Sequence, residues 1–130
     1  MNKSQVVGLE ILRLGLAGVF LWFGFSQLFN TLAWVGIVPS WAIDLLRIPP
    51  AFIVLGNGLL EVVLGSLLAL RILTKYVALV LALHLFVIAF ELGLTSIGIR
   101  DFGLSFATLA LTFLHHGEAT ERPANFSQNI

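Results

Sequence analysis

The chain has 130 residues, 58% hydrophobic and 11% charged, with a mean hydropathy of +1.01, far more apolar than an ordinary soluble domain and fit only for a bilayer. Seven basic and seven acidic side chains cancel, which argues against a nucleic-acid partner or a strongly charged membrane-surface role. The absence of cysteine excludes a disulfide, a thiolate metal site and a redox thiol pair, so electron transfer would need a partner or a bound cofactor.

The first apolar element covers residues 6–29. Lys3 precedes it as in a signal peptide, but the run continues to residue 32, beyond a signal core of about 7–15 residues, and no A-x-A-like site follows. A retained first span is expected. On it Glu10, Ala17 and Gly24 lie seven apart beside Arg13, Phe20 and Gln27, a face whose small residues let another helix approach.

Residues 30–50 hold Trp34 and Trp41 and three of the four prolines, the content of a loop lying in the membrane interface. Ser40 is placed to cap a short helix through Leu46, with Trp41, Leu45 and Leu46 toward lipid and Asp44 and Arg47 toward water. Pro49 and Pro50 end it and start the second span, residues 51–73.

Near the middle of that span stands Glu61, on a face with Gly58 and Gly65. A carboxylate at the bilayer midplane costs about 2.5 kcal/mol or more unless paired, protonated or wetted, so it must face other helices. The third span, residues 76–94, follows a turn marked by Arg71, Thr74 and Lys75 and carries His84 and Glu91 on one face. The fourth, residues 101–114, reaches spanning length when extended to Ile97 and His116. Its Asp101, Ser105, Thr108, Thr112 and His115 recur in steps of four, three, four and three, a polar stripe that belongs inside a bundle. The expected fold is all-α: an integral membrane four-helix bundle over residues 1–117 with an interfacial loop and short helix between helices 1 and 2, and a polar C-terminal tail, residues 118–130. An even number of spans puts both ends on one side, and Lys3, Arg71, Lys75 and Arg122 against Arg47 and Arg100 place that side in the cytoplasm.

Helical rise counted from the expected ends places Arg13 about 10 Å, His84 about 13 Å and Glu61 about 15 Å deep. This predicts one buried charge cluster of Arg13, Glu61, His84 and Glu10, and an outer polar cluster of Gln27, Asn57, Glu91, Arg100 and Asp101. Each feature also has a purely structural reading: a register-fixing ion pair for Arg13 and Glu61, a hydrogen-bonded core residue for His84, a helix-dipole contact for His115 and His116, and interhelical hydrogen bonds for the stripe. No second histidine stands at metal spacing from His84, and no haem ligand pair, GxGxxG, P-loop, HExxH or defensible Ser-His-Asp set is present.

Leu12-Arg13-Leu14-Gly15, Phe23-Gly24-Phe25-Ser26-Gln27-Leu28, Glu61-Val62-Val63-Leu64-Gly65 with Leu68, and Ile99-Arg100-Asp101 together resemble the DoxX-like family of small four-helix membrane proteins, over residues 8–114. Members often carry lysine where this chain has Gln27. The resemblance implies an accessory or assembly subunit of a quinone-linked membrane oxidoreductase complex in the inner (cytoplasmic) membrane of a prokaryote, as in relatives associated with a terminal quinol oxidase or a thiosulfate:quinone oxidoreductase. Such a subunit has no catalytic site of its own. Its expected partners are membrane lipid and other membrane subunits or further copies of itself, with quinone or lipid as the bound molecule. The alternative is a small proton-coupled transporter in which Glu61 exchanges its proton with substrate. Proximity of Arg13, which would keep Glu61 ionised, weighs against that, and quinone reduction by Glu61 and His84 themselves lacks an electron donor in the sequence.

Overall fold

The computed structural model describes residues 2–120, with side chains through Leu114. The helices are α1 (Lys3–Phe29), α2 (Ser40–Leu46), α3 (Pro50–Ala69), α4 (Thr74–Leu92) and α5 (Ser96–Thr120). α1, α3, α4 and residues 96–114 of α5 are each long and apolar enough to cross a membrane. Glu118 to Thr120 continue α5, and the rest of the expected tail lies outside the described residues.

Local chemistry explains the ends. The Asn2 side chain accepts from the Gln5 N–H and the Gln5 side chain from the Asn2 N–H, both at 2.9 Å, a capping box that starts α1 three residues before the apolar run. α2 begins after Pro39, so Ser40 is its first helical residue instead of its cap, with no side-chain cap bond. Pro50 opens α3, where its missing N–H costs nothing. α3 ends at Ala69, four residues before the apolar run does, because Arg71 and Leu73 turn the chain through left-handed conformations. Between α4 and α5, Gly93 has φ +61, and Thr95 caps α5 by accepting from the Gly98 N–H at 3.0 Å. A Cβ on Gly98 would stand 2.1 Å from the Gly93 carbonyl oxygen, so this turn admits only glycine there.

The spans associate as two tight antiparallel pairs, α1 with α3 and α4 with α5. α1 and α3 cross at Gly24 and Gly58, where a Cβ on either would lie 2.9 Å from the other's carbonyl oxygen. α4 offers Ala78, Ala82 and Ala89, and α5 offers Ser105 and Thr108, all buried, the small residues that let membrane helices approach. Edge-to-face contacts among Phe86, Phe102 and Phe106 add to that pair. The half of the bundle away from α2 is filled by Leu9, Leu16, Leu68, Val77, Leu81 and Leu111. Toward the α2 end a cavity lies between the two pairs.

The polar stripe of α5 turns inward: Asp101, Ser105, Thr108 and Thr112 are buried. Its hydroxyls do not bond across helices, however. Ser105 Oγ donates to the Phe102 carbonyl at 2.6 Å and Thr108 Oγ1 to the Leu104 carbonyl at 2.7 Å, so each is satisfied within its own helix. Thr112 Oγ1 is buried without a partner. His115 and His116 continue the helix beyond the described side chains.

Candidate functional site

The polar groups expected to form a charge layer and an outer layer regroup around two centres, and the expected Arg13–Glu61 pair is not among them. Arg13, 5% exposed, donates from Nη1 to the carbonyls of Leu68 and Ala69 at 2.8 and 2.6 Å, and from Nη2 to Glu10. Arg71, in the α3–α4 turn, also pairs with Glu10. These carbonyls are the acceptors that a helix leaves open at its C-terminus, where its dipole favours a cation. Arg13 thus closes the end of α3, and Glu10 balances two arginines.

The reason for the separation is helix length. α1 has 27 residues against 20 in α3, and the pair is aligned near the α2 end, where Gly24 meets Gly58. The first turns of α1 therefore project past the end of α3. Glu61 comes level with the Gly24 region, and Arg13, about ten residues further down, is about 15 Å away along the axis.

Glu61, 3% exposed, takes different partners. Gln27 Nε2 donates to its Oε2 at 3.0 Å and Asn57 Nδ2 to its Oε1 at 3.3 Å. Asn57 Nδ2 also donates to Gln27 Oε1 at 2.6 Å. His84 Nε2 lies 3.6 Å from Glu61 Oε1, buried and without a hydrogen-bond partner. Gln27 and Asn57, expected in the outer cluster, thus join Glu61 and His84, while Arg13 and Glu10 leave them.

Those four residues form the polar floor of a cavity of about 460 Å³, walled by Phe20, Phe23, Trp34, Val54 and Ile88, and roofed by Trp41, Ala42 and Leu45 of α2. Trp34 is fixed by a 3.1 Å hydrogen bond from its Nε1 to Ser26 Oγ and by edge contact with Phe23. Glu91, Arg100 and Asp101 also border the cavity. The Arg100 guanidinium bonds Asp101 Oδ1 at 3.0 Å and stands 4.8 Å from the centre of the Phe23 ring, tying α5 to α1 through a cation–π contact. Glu91 is exposed at the rim. Among the described residues of the α5 stripe only Asp101 reaches the cavity; Ser105, Thr108 and Thr112 do not line it.

Two features escaped the sequence. Trp41, Leu45 and Leu46, expected to face lipid, are exposed but also line the cavity. A hydrophobic face on a seven-residue helix reads the same whether it meets lipid or a cavity. The partnership of Arg13 with main-chain carbonyls carries no side-chain signal at all. Among the described residues no group of three or more His, Cys, Asp or Glu is arranged to hold a metal ion.

An apolar enclosure with a few convergent polar groups is the usual form of a small-molecule site. Here the floor supplies a carboxylate whose two oxygens are held by amide donors and an imidazole nitrogen with no partner. The family model described as DoxX matches residues 8–93 of the chain. No curated protein and no solved structure matches it.

Proposed function

The chain belongs to the DoxX family, and from that membership and the cavity beneath α2 we propose that it is a non-catalytic accessory subunit of a quinone-linked membrane oxidoreductase, holding a quinone headgroup for the complex. The observation that carries this reading is the buried Glu61, bonded by Gln27 and Asn57, facing the unpartnered His84 Nε2 inside an aromatic-walled cavity. Phe20, Phe23, Trp34 and Trp41 suit a flat ring, and the apolar walls suit its hydrocarbon tail. That aromatic lining favours quinone over an ordinary lipid headgroup. The sequence supplies no cysteine and no recognisable cofactor motif, so electrons would come from partner subunits.

Proton-coupled export gains one point from the structure, because Arg13 does not hold Glu61. Export also requires a path out of the opposite side, however, and there Leu9, Leu16, Leu68, Leu81 and Leu111 fill the bundle. We place the protein in the cytoplasmic membrane of a prokaryote. Lys3, Arg71 and Lys75 at the end opposite α2 support a cytoplasmic position for that end, with the cavity on the outer side.

Deletion of the chain is expected to lower quinol-dependent electron transfer in isolated membranes. The wild-type protein should restore it, and a Glu61→Leu, His84→Leu double variant that reaches the membrane at normal abundance should not. Unchanged rates on deletion, or full restoration by the double variant, would count against the proposal.

A further inference from the structure

We propose that Glu61 and His84 make the cavity selective for the reduced, hydroxyl-bearing form of its ring ligand over the oxidised, carbonyl-bearing form, an inference that rests on the quinone reading above. The selectivity follows from which hydrogen-bonding roles are already taken. Gln27 Oε1 accepts from Asn57 Nδ2 at 2.6 Å. With that bond made, each amide turns an N–H to Glu61, Gln27 Nε2 to Oε2 and Asn57 Nδ2 to Oε1. Glu61 receives those two bonds, at 3.0 and 3.3 Å, one on each oxygen. Each of its oxygens can accept more than one bond, which leaves capacity on Oε1.

His84 Nε2 stands 3.6 Å from that oxygen, too far for a good direct hydrogen bond. The nitrogen is buried and otherwise unpartnered, and both residues line the cavity. A hydroxyl oxygen about 2.8 Å from each atom closes a triangle on this base. It donates its proton to Glu61 Oε1 and accepts from His84 Nε2–H, so a single ligand group satisfies both. A carbonyl oxygen in the same seat can accept from His84 but has nothing to give Glu61, and its lone pairs face those of the carboxylate. The oxidised ligand therefore makes one bond against a repulsion where the reduced ligand makes two. No electron moves in this step; the site distinguishes the two redox forms and leaves their interconversion to the partner.

The test is calorimetric titration of the intact protein in lipid nanodiscs, without oxygen, with a decyl-substituted benzoquinol and with the corresponding benzoquinone. The quinol is expected to bind at least about tenfold more tightly, the discrimination that one unmade bond in a buried polar seat produces. In Glu61→Gln, whose amide both donates and accepts, the preference should fall below about threefold. Equal affinities, or tighter binding of the quinone, overturn the inference and leave the cavity as a quinone site. An undiminished preference in a folded Glu61→Gln protein overturns its assignment to Glu61. Binding of neither probe removes the quinone reading and the selectivity with it. If Glu61→Gln does not fold, the wild-type ratio alone decides.

Discussion

Arg13→Leu is expected to cost about 2–4 kcal/mol of stability, since a carbonyl buried without its donor costs about 1–3 kcal/mol and two are affected. The substitution leaves the Leu68 and Ala69 carbonyls without their donor at the end of α3 and strips Glu10 of one of its two arginines. Arg13→Lys should recover only part of it. A lysine ammonium is a point charge and lacks the planar fork with which Arg13 bonds the carbonyls through one nitrogen and Glu10 through the other. Reversible unfolding in mixed micelles reads the difference. A loss below about 1 kcal/mol for the leucine variant would show that water or lipid headgroups take over those carbonyls.

Gly58→Leu should disrupt the α1–α3 pair. A Cβ at residue 58 meets Gln27 Cβ and the Gly24 carbonyl oxygen, each at 2.9 Å, and main chain cannot give way as the end of a flexible side chain can. Forcing extra carbons into a packed contact costs about 1–3 kcal/mol, and more where two backbones must separate. The effect reaches the site, because Gln27 is the donor to Glu61 Oε2. Moving α1 off α3 undoes the amide clamp, so quinol affinity should fall together with stability. Gly15→Leu is the control: a Cβ there has nothing within 4 Å and should change neither. A stable, fully binding Gly58→Leu protein would mean that the two helices cross elsewhere.

The spans were legible because each is a run of apolar residues long enough to cross a bilayer, and hydropathy alone finds such runs. The inward faces were legible too. Asp101, Ser105, Thr108 and Thr112 repeat with helical period, and a lipid-embedded helix buries such residues. Helix ends were not. Leu70, Ile72 and Leu73 are as apolar as the helix before them, so hydropathy extends α3 past Ala69, while the chain turns there through left-handed Arg71 and Leu73. Setting the ends of the spans level put Arg13 and Glu61 at one depth, whereas α1 projects past the end of α3. Only the Gly24–Gly58 crossing fixes their axial offset, and a contact between two helices is not a property of either sequence segment. The partners of Arg13 were hidden for a related reason, since any helix end supplies open carbonyls whatever its side chains are.

This division of labour has a physical logic. At one end opposite charges pair: Arg13 and Arg71 share Glu10, and Arg13 Nη1 closes a helix, leaving only its Nε without a partner. At the other end Glu61 is held by neutral amides, and His84 Nε2 has no partner. The charge cluster fixes helix arrangement; the Glu61 and His84 site borders the cavity and so retains the capacity to bind.

A double-mutant cycle on unfolding free energy tests that separation most directly. Glu61→Leu combined with Gln27→Leu should show a coupling of about 0.5–3 kcal/mol, as expected of residues in one hydrogen-bond network, whereas Glu61→Leu combined with Arg13→Leu should be additive within about 0.5 kcal/mol. Strong coupling of Glu61 to Arg13 with none to Gln27 would restore a single charge layer and contradict the arrangement described for both ends of the bundle.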